Sequence, residues 1–142
     1  MGMEFILDGE SAPGLEVEDD LEETIQDIGG WSYLLRAANA EYHWYEAIVS
    51  TPNLLAFADG CLVLADQYGS EGRSFTRTWR DADDHVRSSE VTGPELRLSL
   101  LEMERFARTA YEDNRSVILR GEQGWVQETR WKSVDDFDRH RR

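Results

Sequence analysis

The sequence predicts a single α+β domain in which a mostly antiparallel sheet packs against an early acidic helix and a late amphipathic helix. The chain has 142 residues, of which 40% are hydrophobic and 31% charged, a composition typical of one folded domain. Two segments, one near each end, carry apolar residues at helical spacing, and short runs of aromatic and β-branched residues lie between and after them. No repeat, low-complexity tract or linker divides the chain, so residues 1–142 are predicted to form one domain.

The first part of the chain predicts a strand followed by the acidic helix. Residues 4–7 are a short apolar run before an Asp-Gly turn, which predicts a strand. Apolar residues then recur at spacings of four, four and three, which predicts a helix over residues 18–28, with the stripe formed by Val17, Leu21, Ile25 and Ile28. Gly29 and Gly30 end this helix, and a second helical turn is predicted at residues 31–35.

The middle of the chain predicts strands. Residues 42–49 are rich in aromatic and β-branched residues, which predicts one strand. Two apolar segments, residues 54–58 and residues 61–65, flank the dipeptide Asp59-Gly60. An Asp-Gly pair between apolar runs is the strongest short hairpin signal in the chain, so this stretch is predicted to be a β-hairpin.

The next segment predicts a strand, a loop and the late helix. Within residues 75–79, two threonines alternate with Phe75, Arg77 and Trp79, which predicts a strand with one exposed face. The polar residues 81–89 predict a surface loop. Ser99, followed three residues later by Glu102, fits a capping box at the start of the late helix. The apolar stripe of this helix ends near Asn114 and consists of Leu100, Met103, Phe106, Ala107, Ala110 and Tyr111.

Two further strands are predicted after the late helix. Residues 117–119 are branched aliphatic and predict a strand. A glycine-containing turn at residues 121–124 leads to residues 125–131, which begin and end with tryptophan and are predicted to be its partner strand. Together these elements account for the antiparallel sheet.

Negative charge is concentrated near the N-terminus. The formal net charge is −14, and the first 30 residues contain ten acids and no Lys or Arg, whereas the remainder has 19 acids and 15 bases. A patch of one sign raises the association rate with a basic partner. The predicted partner-binding surface therefore consists of the acids of the first helix: Glu18, Asp19, Asp20, Glu22, Glu23 and Asp27. Two alternatives stay open: some of these acids complement the helix dipole, or the acidity reflects halophilic adaptation.

A second candidate contact region lies at Arg77 and Trp79, with Arg80 beside them. Tryptophan and arginine are enriched at the energetic centres of protein interfaces. The alternative is that this segment is a threonine-rich outer face of a sheet.

No motif in the sequence predicts catalysis, a cofactor or a bound metal, so the protein is not expected to be an enzyme. The acidic residues 81–85 lack the glycine and distal glutamate of a calcium loop, which favours a solvated loop. Strand alternation places His43 and Tyr45 on the face opposite Glu46, which favours a structural histidine. Cys61 has apolar neighbours and is predicted to be a small core residue.

Composition also limits the partners and the compartment. The negative charge argues against direct binding to nucleic acid or to an anionic membrane surface. No apolar run approaches the roughly 20 residues needed to span a bilayer, and no signal peptide is predicted. A single cysteine cannot form an internal disulfide, which favours a cytoplasmic location. The expected partner is a protein, and the oligomeric state stays open.

The order of elements resembles that of immunity proteins from bacterial polymorphic toxin systems, in particular the small family that accompanies deaminase toxins. The resemblance rests on the acidic helix, the hairpin predicted at Asp59-Gly60, the late helix containing Phe106, and the strand that ends at Trp131. The chain departs from the family at residues 112–115, where no proline is present. No individual binding residue is carried over.

This resemblance implies a protein that binds a toxin tightly in the cytoplasm, occludes its active site and performs no chemistry. Its acidity would complement the basic cleft of a nucleic-acid-acting toxin. One alternative is a phage or mobile-element protein that mimics nucleic acid and inhibits a host nuclease or CRISPR effector. A second is an enzyme or ligand-binding domain whose site residues are dispersed in the sequence.

Overall fold

Helices alternate with the strands of a central sheet and cover one of its faces. The computed structural model describes residues 2–43 and 46–121. Within these residues the strands are β1 (Met3–Leu7), β2 (Leu15–Val17), β3 (Glu41–His43), β4 (Glu46–Val49), β5 (Ser74–Arg80), β6 (Val86–Thr92) and β7 (Val117–Arg120). The helices are α1 (Asp19–Asp27), α2 (Gly30–Ala37), α3 (Leu54–Tyr68) and α4 (Gly93–Glu112), with a 3-10 turn at Thr51–Asn53.

Two antiparallel sheets organise this part of the chain. The larger has five strands in the order β2-β1-β7-β4-β3, so the last of the described strands in sequence, β7, lies at the centre. The smaller is the hairpin of β5 and β6. The predicted α+β class, with an antiparallel sheet packed against an early and a late helix, is confirmed.

The core lies between the larger sheet and the helices. The ring of Phe5 on β1 contacts three aromatic rings, those of Trp31 on α2, Phe57 on α3 and Phe106 on α4, with centroids 6.3, 5.9 and 5.9 Å away. Side chains alternate along a strand, so the face of the sheet that carries Phe5 is the inner face. Burial of such large apolar side chains is the main source of the fold's stability.

Two adjacent glycines fix the junction of α1 and α2. Gly29 has a φ of 77°, a conformation that glycine adopts without steric cost, and it ends α1 as predicted. A Cβ on Gly30 would lie only 2.6 Å from Cγ2 of Ile25. The absence of a side chain at Gly30 therefore allows α2 to start directly against the buried Ile25.

The hairpin predicted at Asp59-Gly60 is wrong, because both flanking segments belong to the single helix α3. The apolar residues around the dipeptide also satisfy a helical period, and Phe57, Cys61 and Leu64 are all buried. A Cβ on Gly60 would lie 2.9 Å from Cδ2 of Leu34. The absence of a side chain at Gly60 therefore allows α3 to pack closely against α2.

Three other local predictions also need correction. Residues 42–49 form two paired strands, β3 and β4, with His43 opposite Glu46 and with residues 44 and 45 outside the described part. The predicted loop over residues 81–89 ends early, because β6 begins at Val86. The capping box is Thr92 with Glu95, whose backbone nitrogen donates to Thr92 Oγ1 at 3.3 Å, whereas Ser99 is buried inside the helix.

The predicted pairing of the strand at residues 117–119 with residues 125–131 is also wrong. Residues 125–131 lie outside the described part of the chain. Over Val117–Arg120, however, β7 hydrogen-bonds with β1 on one side and β4 on the other. Both edges of β7 are filled, so no further strand can pair with it directly.

Candidate protein-binding surface

The six acidic residues predicted to form one binding face differ widely in exposure. Glu18, Asp19 and Asp27 are exposed, Asp20 and Glu23 are half-buried, and Glu22 is buried with 7% of its surface exposed. Glu18 is the residue at which α1 is capped, and Asp27 is its last residue. The prediction of one outward acidic face is therefore correct at the two ends of the helix and wrong at its middle.

Glu22 is a core-side carboxyl group. Nε1 of the buried Trp31 donates a hydrogen bond to the backbone carbonyl oxygen of Glu22, at 3.1 Å. Its side-chain oxygen Oε2 is buried without a hydrogen-bond partner among the described residues. Burial, reinforced by the neighbouring carboxylates of Glu23 and Asp19, raises the pKa of Glu22 to about 7. Glu22 is thus part of the helix packing and not of an exposed surface.

Arg77 joins the two candidate contact regions predicted from the sequence. It reaches from β5 to α1, where it forms ion pairs with Glu23 and, through Nε, with Oδ2 of Asp27 at 3.4 Å. Its guanidinium carbon also lies 5.9 Å from the ring centre of Trp79, which is itself exposed. The charge of Arg77 therefore partly neutralises the C-terminal half of α1.

The N-terminal end of α1 has a different environment. It adjoins a cavity of about 460 Å³ lined by β1, β2 and the start of α1, with Glu4, Glu16, Glu18 and Asp19 on its walls. Glu16 lies directly opposite Glu4 across the two strands. Like charges in this position cost about 0.2–1 kcal/mol, so a cation that binds between them would relieve a repulsion.

One basic residue, Arg120, is found among the described residues that line this cavity. Its guanidinium already forms an ion pair with Glu46, with a distance of 2.7 Å between NH2 and Oε1. The cavity therefore stays strongly acidic. Nothing in the local sequence predicts that Glu4 and Glu16 lie together, because strand register, which pairs them, has no local signal.

The acidic loop at residues 81–85 is a structural turn. Oδ1 of Asp81 accepts hydrogen bonds from the backbone nitrogens of Asp83 and His85, each at 2.9 Å. Its Oδ2 accepts from Nε of Arg87 at 2.8 Å, and this contact with Arg87 lowers the pKa of Asp81. Both oxygens are occupied by the hairpin itself, as expected for a solvated loop.

The other candidates for chemistry are accounted for by the fold. Cys61 is fully buried in α3, as predicted, and burial raises the pKa of its thiol. His43 ends β3, and Tyr45 lies outside the described residues. Residues 2–43 and 46–121 contain no group of three or more His, Cys, Asp or Glu side chains placed to hold a metal ion. None of the helices described is long and apolar enough to cross a membrane.

Comparison of the chain with protein-family models, with curated proteins and with solved structures gives no match. Any functional inference therefore rests on the residues and geometry described above.

Proposed function

We propose that this protein is an acidic inhibitor of the immunity-protein type. It acts in the cytoplasm, binds a basic toxin or a nucleic-acid-acting enzyme domain, and catalyses no reaction itself. The observation that carries the proposal is the acidic cavity at the N-terminal end of α1, which brings together Glu4, Glu16, Glu18 and Asp19 from three elements.

Shape and charge both suit a basic protein surface. The cavity, of about 460 Å³, is a concave site that basic side chains of a partner protein can enter. Carboxylates are the preferred partners of arginine and lysine side chains, and arginine can engage them through two parallel hydrogen bonds. The carboxylates stand on two paired strands and the start of a helix, so the backbone that carries them is already ordered and binding has to fix only their side chains.

The two ends of α1 should contribute unequally to this binding. Glu23 and Asp27 form ion pairs with Arg77. Glu18 and Asp19, in contrast, line the acidic cavity. Exposed charges act mainly on the association rate and lose influence with salt, because screening sets in over about 10 Å at 0.1 M salt. We therefore assign the long-range attraction of a basic partner to the N-terminal end.

The test compares two double variants that remove the same residue types. One changes the cavity end of α1 (Glu18→Gln with Asp19→Asn), and the control changes the exposed end of α4 (Glu112→Gln with Asp113→Asn). A partner is recovered from the source proteome with the unmodified chain, purified and assayed for its own enzymatic activity. The rate of association is then measured at low and moderate salt.

The expected result is that the chain inhibits the partner's activity, and that the α1 double variant associates about tenfold more slowly at low salt while the control changes little. Equal slowing by both variants would indicate a general charge effect and contradict the assigned site. A partner whose activity is unaffected by the chain would contradict the inhibitor function. Competition by duplex DNA for the same partner would favour the nucleic-acid-mimic alternative.

A further inference from the structure

Helix α3 is apolar on both of its sides. Its buried side packs in the core and includes Leu54, Phe57 and Leu64. On its exposed side, Leu62 and Val63 each leave 40% of their surface accessible. A helix that is apolar all round is normally covered all round, because apolar surface is unfavourable in water. The exposed side of α3 is therefore expected to be covered when the protein acts.

The exposed apolar side chains of this protein are concentrated on α3 and α4. Seven large apolar residues are exposed within the described part of the chain, and two of them belong to the β5–β6 hairpin. The other five lie on these two helices: Leu55, Leu62, Val63, Leu98 and Tyr111. Concentrated exposed apolar surface marks an interaction site, whereas single exposed residues do not. The outward surface of the two helices is called the α3–α4 face below.

The two helices run antiparallel along this face. NH2 of Arg108 pairs with Oδ1 of Asp59 at 2.9 Å, and NH1 of Arg97 donates to the carbonyl oxygen of Ala65 at 3.4 Å. Helical spacing puts the two residues between these arginines on the same side of α4, and this side is called the α4 stripe: Arg97, Leu101, Arg105 and Arg108. The α3 stripe beside it consists of exposed residues at helical spacing: Leu55, Asp59, Leu62 and Asp66.

The two stripes are complementary in charge. Asp59 and Asp66 are the only charged residues of α3, whereas the α4 stripe carries three arginines. Asp66 and Arg105 are exposed, and neither forms an ion pair with another described residue. An acidic stripe beside a basic one is self-complementary, because a two-fold axis between them places each stripe of one copy over the opposite stripe of the other. The charges of this face therefore fit a second copy of the chain.

We propose that two copies of the chain associate through the α3–α4 face, about a two-fold axis that runs parallel to the helices. The α3 stripe of each copy lies on the α4 stripe of the other, with Leu62 against Leu101 of the second copy. The carboxylates of the α3 stripe then lie near Arg97 and Arg105 of the second copy. Every helix has antiparallel neighbours, both within its own copy and across the interface, as in an antiparallel four-helix bundle.

Net charge and size set the strength of this contact. Each copy has a formal net charge of −14, so contacts between two acidic surfaces are repulsive. The two stripes together hold two carboxylates and three guanidinium groups, so this face lacks that repulsion. Helix α3 has 15 residues and is about 22 Å long, and two helices side by side are about 20 Å wide, which gives roughly 450 Å² per copy. Contacts of this size are transient, so a reversible dimer with a micromolar dissociation constant is expected.

The first test measures association of the full chain by sedimentation velocity from about 5 to 500 µM. We expect a reversible equilibrium between monomer and dimer. Leu62→Glu, at the centre of the face, should raise the dissociation constant more than about tenfold, whereas Val86→Glu, which adds the same charge at an exposed apolar position of β6, should change it little. A chain that stays monomeric at every concentration would overturn the proposal, and the face would then belong to an unlike partner. Equal weakening by both variants would contradict the assigned face.

The second test examines how the two copies are arranged. Chains that carry Leu62→Cys are mixed with chains that carry Leu101→Cys, and disulfide-linked dimers are followed on a non-reducing gel. Linkage should be at least about tenfold faster in the mixture than in either variant alone, because α3 faces α4 of the other copy. The unmodified chain gives the background, since its Cys61 is fully buried. Linkage that is fastest in Leu62→Cys alone would mean that α3 meets α3, and would overturn the arrangement.

The dimer and the proposed function fail separately. No residue of either stripe lines the acidic cavity. The double variant Glu18→Gln with Asp19→Asn should therefore leave the dissociation constant of the dimer unchanged within about twofold. Loss of the dimer in this variant would contradict the α3–α4 face as its site, whereas a stable dimer that inhibits no basic partner would contradict the proposed function alone.

Discussion

The two ends of α1 carry similar charges in the sequence but differ in the structure. At the N-terminal end, Glu18 and Asp19 are exposed beside a cavity that holds two further carboxylates. At the C-terminal end, Glu23 and Asp27 share the guanidinium of Arg77. Between the two ends, the side chains of Ile25 and Glu22 are buried, and the burial of Glu22 is unexpected because it is acidic.

This difference shows that formal charge overstates the charge that a partner meets. Of the six acids in and beside the helix, one is buried with a raised pKa and two are paired with Arg77. The field at the surface therefore depends on tertiary contacts as well as on composition. Three substitutions test this comparison, two at buried residues of α1 and one at Arg77 of β5, which pairs with the C-terminal end of the helix.

The largest effect is expected at a buried residue between the two ends. Ile25 is fully buried and packs against Gly30 at the start of α2. Ile25→Ala should lower the free energy of unfolding by about 2–4 kcal/mol, through lost burial and the cavity it leaves. Urea denaturation measures this value, and Leu98→Ala, at an exposed position of α4, serves as the control with an expected loss below about 1 kcal/mol. Equal losses in the two variants would mean that α1 is not anchored through Ile25.

The next effect concerns Glu22 and depends on pH. Its pKa is about 7 in the folded protein and 4.5 in a model compound, so the folded state holds a proton that the unfolded state has lost between these values. The contribution of Glu22 to stability is therefore fully present below about pH 4.5 and is lost as pH rises through about 7. Each unit of such a shift corresponds to about 1.4 kcal/mol.

Glu22→Gln removes this dependence because glutamine does not ionise. The free energy of unfolding of the variant, relative to the unmodified chain, should be higher at pH 8 than at pH 5 by about 1–3 kcal/mol. Glu18→Gln removes an exposed carboxylate next to the same helix and is the matched control, with a difference between the two pH values well below 1 kcal/mol. A flat difference for Glu22→Gln would show that this carboxyl group is hydrated in the folded protein.

The helix itself was predictable from the sequence, but the distribution of its charge was not. The spacing of Leu21, Ile25 and Ile28 indicates a helix because the signal lies within a few residues of chain. The strand β1 and the helix α4 were also predictable from local patterns, the first from its apolar run and the second from the apolar stripe that includes Met103. These predictions are confirmed because local periodicity and tertiary packing agree.

The missed features depend on contacts that are distant in sequence. The pair of Arg77 with Glu23 joins residues 54 positions apart, and Glu4 meets Arg120 only because β7 inserts between β1 and β4. At Asp59-Gly60 the local hairpin signal was overridden, since the close crossing with Leu34 favours glycine within a helix. Local patterns therefore predicted most of the elements, whereas the cavity and the neutralised end of α1 required the tertiary structure.

The smallest effect is expected at the neutralised end. Arg77 and its partners Glu23 and Asp27 are partly exposed, with 28%, 41% and 62% of their side-chain surfaces accessible. Exposed ion pairs typically contribute 0.2–1 kcal/mol, so Arg77→Gln should lower the free energy of unfolding by less than about 1 kcal/mol at low salt. The loss should shrink in 0.5–1 M salt, about where screening acts over only a few ångströms.

The control for this measurement is Arg80→Gln, which breaks the pair with Asp84 inside the β5–β6 turn without touching α1. Both partners of that pair are mostly exposed, so its loss should be close to zero at either salt concentration. If the cost of Arg77→Gln were the same at both salt concentrations, packing of the arginine stem against Trp79 would account for it instead of charge. The C-terminal end of α1 would then not be neutralised by Arg77, and the contrast with the N-terminal end would disappear.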